Sequence, residues 1–189
     1  MRCIHCVCVL CAFIISCQST VTYRHVSDPK KLRSIKTVAI APYRYNQLAL
    51  ALYDSVYVPL DTTLIKHLSR ASIFQSIIMS PRPDSKSDQN QAEAPIRTME
   101  SARARNADAL LYCELDVETK SVYFSTVWYG TVTLTLVSVA DSSRIMFARY
   151  NTGTPDQGIS PTSLEPPEAV HLATAGAVRS LVRGYVESK

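Results

Sequence analysis

Alternation of apolar and polar residues between Ala109 and Glu118 constrains the fold of this chain more than any other feature. One alternate set is wholly apolar: Ala109, Leu111, Cys113, Leu115 and Val117. The other set ends in three carboxylates: Glu114, Asp116 and Glu118. A period of two places the sets on opposite faces of a β-strand, with the apolar face buried. Further strand patterns at Thr126–Ala140 and Arg144–Asn151, joined through the turn Asp141–Ser143, predict an antiparallel meander.

Upstream of the meander, the sequence predicts alternating strands and helices. Lys36–Pro42 is a β-branched run ended by proline, and Ile73–Met79 is a second apolar run, so both are predicted strands. Between them, Asn46–Tyr57 and Leu60–Arg70 have helical patterns, and Pro59 predicts a break because proline interrupts helix interiors.

The remaining segments complete the predicted order. Ile96–Asn106 is expected to be a short helix, and Ser80–Pro95 and Thr152–Pro167 are expected to be loops. Glu168–Glu187 is expected to be a helix with one apolar stripe. The predicted class is α/β (α+β), with a mixed sheet of about five strands, helices packed on it and the order β-α-β-α-β-β-β-α.

The first seventeen residues follow a different pattern from the rest of the chain. Arg2 precedes a short apolar run, which is typical of a secretory signal peptide and shorter than the ~20 residues of a membrane-spanning helix. The run ends Ile14-Ile15-Ser16-Cys17, which resembles the lipobox of bacterial lipoproteins. The resemblance implies removal of residues 1–16 and lipid attachment to Cys17. A metal site at Cys3, Cys6, Cys8 and Cys11, or a signal peptide without lipid, remain alternatives.

These expectations divide the chain into a signal peptide at 1–16, a lipidated tether at 17–35 and a single domain at 36–189. The tether contains Arg24, Lys30, Lys31 and Arg33, so an anionic bilayer surface should attract it, although a merely soluble linker is the alternative. Only Cys113 remains in the body, and its place on the apolar face predicts a core residue.

Charge and motif content narrow the function. The net charge of +4 comes without Lys/Arg clusters, which does not favour a nucleic-acid partner. No nucleophile, metalloprotease or phosphate-loop motif is present, so we assign no catalytic residue, metal or cofactor and do not expect an enzyme. Glu114, Asp116 and Glu118 leave open a periplasmic ligand- or cation-binding lipoprotein or, less favoured, a hydrolase.

Three segments carry a resemblance to a known group: Thr37–Pro42, Asn106–Leu111 and Leu134–Asp141. With the element order, they resemble the small α/β domain of curli-secretion lipoproteins, the TolB amino-terminal domain, the Pel-polysaccharide lipoprotein and the lipoprotein activators of penicillin-binding proteins. The resemblance implies a non-enzymatic, membrane-anchored component that assembles or docks in cell-envelope biogenesis or export. Gln18 after the lipidated cysteine would, by the enterobacterial sorting habit, favour the outer membrane facing the periplasm.

A partner surface is expected where aromatic residues crowd the connection between the strands predicted at Ala109–Glu118 and Thr126–Ala140. Tyr123, Phe124 and Tyr129 are candidates for contact with an envelope protein or a second copy, because aromatic side chains concentrate binding energy at interfaces. Trp128 is expected to be mostly structural, and closure of the core by these rings is the alternative.

Overall fold

The computed structural model describes residues 23–79, 95–122, 125–153 and 164–188. Within these residues, five helices pack on one mixed sheet of seven strands, which confirms the predicted fold class with two strands more than expected. The strands are β1 (Tyr23–Val26), β2 (Thr37–Ile40), β3 (Arg44–Tyr45), β4 (Ser76–Ile78), β5 (Ala109–Val122), β6 (Ser125–Ser138) and β7 (Arg144–Asn151). The helices are α1 (Pro29–Ser34), α2 (Gln47–Ala51), α3 (Tyr53–Ala71), α4 (Pro95–Ala104) and α5 (Pro166–Glu187).

The sheet order is β1-β7-β6-β5-β2-β4, with β3 pairing β5 off this path. The predicted meander is confirmed, since β5, β6 and β7 pair antiparallel in sequence order. β2 lies parallel to both β4 and β5, and β1 adds an antiparallel edge beside β7. The β5–β6 pairing runs without interruption from Ala109 opposite Ser138 to Val122 opposite Ser125.

The main core lies between one face of the sheet and the helices α3 and α5. The predicted alternation produces this face, since Leu111, Leu115 and Leu134 are all 0 % exposed. Gly130 lets α5 approach the sheet closely, because a Cβ there would lie 2.7 Å from the carbonyl oxygen of Ala169. On the other face, a smaller cluster forms under α4, where Ala102 and Leu110 are buried.

Residues 23–34 correct the prediction that the tether extends to residue 35. They form the edge strand β1 and the helix α1, which Asp28 caps by accepting a 3.0 Å hydrogen bond from the backbone N–H of Lys31. Leu32 and Ile35 are buried in the main core, so tertiary packing stabilises a segment whose local pattern is polar. Residues 1–22, including the predicted signal peptide and Cys17, lie outside the described residues.

The helix break predicted at Pro59 is wrong. α3 continues through Pro59, and the break lies at Leu52, between α2 and α3. Val56, Leu60 and Leu64 are each 0 % exposed on the inner side of α3. We attribute the continuity to this burial, which outweighs the backbone hydrogen bond that proline removes.

Two other segments differ in extent from the predictions. The connection between the strands predicted at Ala109–Glu118 and Thr126–Ala140 is much shorter than expected, because β5 continues to Val122 and β6 begins at Ser125. The strand expected at Ile73–Met79 has only three residues, while Ile73 and Phe74 instead pack into the main core. Most of the two predicted loops, at residues 80–94 and 154–163, falls outside the described residues. None of the described helices is long and apolar enough to cross a membrane.

Candidate interaction surfaces

One of the three predicted partner residues, Tyr129, lies in the described part of the β5–β6 hairpin. Tyr123 and Phe124 fall outside the described residues. Tyr129 is half-buried on β6, opposite Glu118, and its ring centroid lies 5.1 Å from the Nζ of Lys120. Trp128 is partly buried and packs against the main core, as its structural role requires.

This hairpin extends beyond the rest of the sheet. β7 pairs with β6 only as far as Thr131, so residues 118–122 and 125–129 pair only with each other among the described strands. We call this two-stranded portion the hairpin arm. Five residues per strand at about 3.3 Å each give it a length of roughly 17 Å. An arm of this kind presents its side chains to a partner more readily than a strand inside the sheet.

The three carboxylates of β5 lie on one face, as the alternation predicts, but within a mixed-charge surface. Arg44 donates a 3.2 Å hydrogen bond from Nη1 to Oε1 of Glu114. Burial raises the pKa of Asp116, the positive charge of Arg149 opposes this, and Glu114 and Glu118 add to the increase. Among the described residues, no group of three or more His, Cys, Asp or Glu side chains is placed to hold a metal ion. The interleaved arginines instead favour a surface for charged or polar contacts.

Four tyrosines form a closed ring of contacts that no local sequence pattern predicts. The ring centroids of Tyr43 and Tyr57, Tyr57 and Tyr53, and Tyr53 and Tyr45 are 5.9, 5.2 and 5.8 Å apart, and those of Tyr45 and Tyr43 are 6.5 Å apart. The hydroxyl of Tyr43 donates a 2.6 Å hydrogen bond to Oδ1 of Asp61. Burial and this hydrogen bond to Asp61 raise the pKa of Tyr43, so the phenol stays neutral and serves packing.

The outer side of α3 and α5 carries four exposed cations. We define the helical face as the exposed cations Lys66, Arg70, Arg179 and Arg183 together with the two histidines His67 and His171. Within the described part of the chain, none of these four cations lies within 4.0 Å of a carboxylate; the ion pairs found there involve Arg24, Lys31 and Arg44. About a hundred residues separate α3 from α5 in the sequence, so no local sequence pattern predicts this surface.

The two histidines join the basic groups of the helical face. The Nδ1 of His171 lies 2.8 Å from the Oγ1 of Thr63, which links α5 to α3. Burial lowers the pKa of His67, and the positive charges of His171 and Arg179 on α5 and of Lys66 and Arg70 on α3 lower it further. Cations of both helices therefore lower the pKa of the same side chain, His67.

An apolar groove adjoins the helical face at the start of α5. Its volume is about 600 Å³, and Val58 beside it is 46 % exposed. The groove is lined by Val58, Pro59, Thr62, Leu164, Pro167, Glu168, His171 and Leu172. Because His171 belongs to both, the helical face and the groove form one continuous surface.

Comparison with known proteins identifies the fold. No protein-family model and no curated protein matches the chain.

Two PelC dodecamer structures from Paraburkholderia phytofirmans are similar to this chain at 16 % identity. One covers 87 % of this chain and 97 % of PelC with a TM-score of 0.55. The other covers 86 % and 95 % with a TM-score of 0.54. Lipoprotein GNA1162 from Neisseria meningitidis matches at 13 % identity over 80 % of this chain and 96 % of its own, with a TM-score of 0.40. The resemblance expected from the sequence is confirmed at the level of the fold, which this chain shares with PelC.

Proposed function

We propose that this chain is a lipid-anchored envelope protein that works without catalysis, as an assembly or docking component of cell-envelope biogenesis or export. The observation that carries this proposal is the shared fold with PelC over 97 % of the PelC chain. The lipobox resemblance at Ile14–Cys17 supports the anchor independently. By the sorting habit that Gln18 suggests, the anchored domain would face the periplasm from the outer membrane.

The proposed division of the chain is a signal peptide at 1–16, an anchored segment beginning at Cys17, and one folded domain. Because β1 begins at Tyr23, only residues 18–22 separate the anchor from the sheet. Six residue steps of at most about 3.5 Å span roughly 20 Å, so the domain would stay close to the bilayer.

Assembly is the proposed mode of action. The similar PelC structures are dodecamers, and by analogy we propose that this chain associates with further copies or with an envelope protein. Tyr123, Phe124 and Tyr129 are the proposed contacts, because they belong to the hairpin arm or to its connection. Interface residues of this kind contribute roughly 2 kcal/mol or more when they are hot spots.

The described titratable groups support a non-catalytic role. Cys113 is 1 % exposed, and burial raises its pKa, which leaves the thiol protonated and poorly nucleophilic. The phenol of Tyr43 stays neutral within the tyrosine ring, in its hydrogen bond to Asp61. These perturbed groups therefore serve packing, and the mixed charges around Asp116 favour docking over acid–base chemistry.

Lipid labelling tests the anchor on which the proposal depends. Cells that express the full chain should incorporate radioactive palmitate into it, and Cys17→Ala should abolish the label and leave an uncleaved precursor. Cys113→Ala is the matched control, since it removes the only other cysteine that would remain after cleavage before Cys17, and it should keep the label. Palmitate that persists in Cys17→Ala would show that the chain is not anchored in this way.

A further inference from the structure

We propose that the helical face is a second membrane contact, which lies on anionic phospholipid headgroups beside the acyl anchor. The inference deepens the proposed function and rests on its anchor. It assigns a binding surface and an orientation to the domain, neither of which a lipid on Cys17 would fix by itself.

The arrangement of charge is the first argument. Lys66 and Arg70 are four residues apart on α3, and Arg179 and Arg183 are four apart on α5, so each pair shares one side of its helix. The two helices pack against each other, and the 2.8 Å contact between Thr63 Oγ1 and His171 Nδ1 joins them, so the two pairs lie on neighbouring helices. Because none of the four has an ion pair among the described residues, their charge is available to an external anionic surface.

Exposed apolar side chains on the same helices are the second argument. The structure describes three large apolar residues as exposed, and two of them, Val58 at 46 % and Val186 at 57 %, lie on α3 and α5. Val186 follows Arg183 by three residues and so shares its side of α5. Cations with apolar groups and an adjoining apolar groove are the combination by which helices bind at a bilayer interface.

The position of β1 is the third argument. β1 lies at the sheet edge beside α5, where Arg24 donates a 2.6 Å hydrogen bond to Oε2 of Glu187. A helix with its side chains is about 10–12 Å across, and the chain from Cys17 to Tyr23 spans up to roughly 20 Å. The anchor can therefore enter the same leaflet that the helical face contacts.

The opposite side of the sheet makes a poor membrane contact. Its exposed cations are interleaved with carboxylates, as in the Arg44–Glu114 ion pair. Lys120 and Arg144 lie over the rings of Tyr129 and Phe147. A surface of mixed sign gains little from an anionic leaflet, so the favoured orientation places α3 and α5 toward the membrane.

A fluorescent label tests the orientation in the full lipidated chain. Leu172→Cys carries an environment-sensitive dye in the groove, and Glu100→Cys carries the same dye on α4, across the sheet. The chain is reconstituted in phosphatidylcholine vesicles with or without about one-third phosphatidylglycerol. We expect the Leu172 dye to shift to the blue only with phosphatidylglycerol, and the Glu100 dye to stay unchanged in both.

Variants that remove the cations test whether the blue shift of the dye depends on the helical face. Changing Lys66, Arg70, Arg179 and Arg183 together to Gln should shift the docking equilibrium about tenfold or more toward the undocked domain. The matched control should preserve the blue shift. It changes to Gln four cations across the sheet: Arg105, Lys120, Arg144 and Arg149. Cooperative melting of both variants checks that they remain folded.

The possible results separate this inference from the proposed function. An equal dye signal in both vesicles, or a shift that survives neutralisation of the four cations, overturns the helical face as a lipid contact. A blue shift before any vesicle is added shows a protein occupant, such as a second copy, and overturns it too. Chain that an alkaline wash removes from the vesicles overturns the anchor, and with it this inference; chain that stays without a shift overturns this inference alone.

Discussion

The two faces of the sheet come from the same strands but receive very different cover. On β6, Val132, Leu134 and Leu136 are 0 % exposed beneath α5 and α3. The alternate residue Thr135 is half-buried on the other side, where the described apolar cover is the smaller cluster under α4 that includes Ala39, Leu110 and Val139. The covered face holds the fold together, whereas surfaces outside this core are available for contacts with other molecules.

A truncation on each face should show this difference most strongly. Leu134→Ala opens a cavity in the main core and should lower the free energy of unfolding by about 2–5 kcal/mol. Thr135→Ala, its neighbour on the other face, should cost less than about 1 kcal/mol. Urea denaturation of both variants measures the contrast. Equal losses would mean that the second face contributes as much to stability as the first.

The covered face is also the part of the molecule that the sequence predicts best. The alternation of β5 and the apolar stripe of α5 each depend on a regular period over many residues, which local sequence records directly. Burial of Val170, Ala173 and Leu181 confirms the stripe. A long element with a regular period can be recognised from its own residues, without knowing what it packs against.

The elements that were missed depend on distant partners. β1 is a four-residue polar edge strand that gains its pairing from β7, and β3 has two residues that pair with β5. The uninterrupted α3 needed the inner packing of Leu60 to outweigh Pro59. These are tertiary effects that a linear pattern does not contain.

The candidate surfaces divide in the same way. The shared face of Glu114, Asp116 and Glu118 was predicted, since it follows from the period of one strand. The helical face was not, because α3 and α5 come together only in the folded chain, where His171 contacts Thr63. Cys17, Tyr123 and Phe124 remain predictions, because they lie outside the described residues.

Lowering the pH should change the free energy of unfolding by smaller amounts and in opposite directions through His67, on the helical face, and Asp116, on the opposite side of the sheet. The pKa of His67 is lowered from 6.5, so the unfolded state binds the proton first and stability falls as the pH drops through this value. The pKa of Asp116 is raised from 3.8, so the folded state binds the proton first and stability is gained as the pH falls through the raised value.

Two variants measure these opposing contributions by urea denaturation at several pH values. Compared with the parent chain, His67→Gln should lose less stability between about pH 7.5 and 5.5. Asp116→Asn should lack the relative gain between about pH 6 and 4. Parallel pH profiles for a variant and its parent would show that the titration of that residue is not coupled to folding.

The central claim is that the chain acts as an assembling envelope component, and native mass spectrometry after crosslinking in membranes tests it most directly. We expect a complex of fixed stoichiometry, formed by further copies or by an envelope partner. Tyr123→Ala with Phe124→Ala should dissociate it without lowering the melting temperature, whereas Tyr112→Ala with Phe147→Ala, a matched aromatic pair elsewhere on the sheet, should leave it intact. A chain recovered only as a monomer, without any crosslinked partner, would contradict the account.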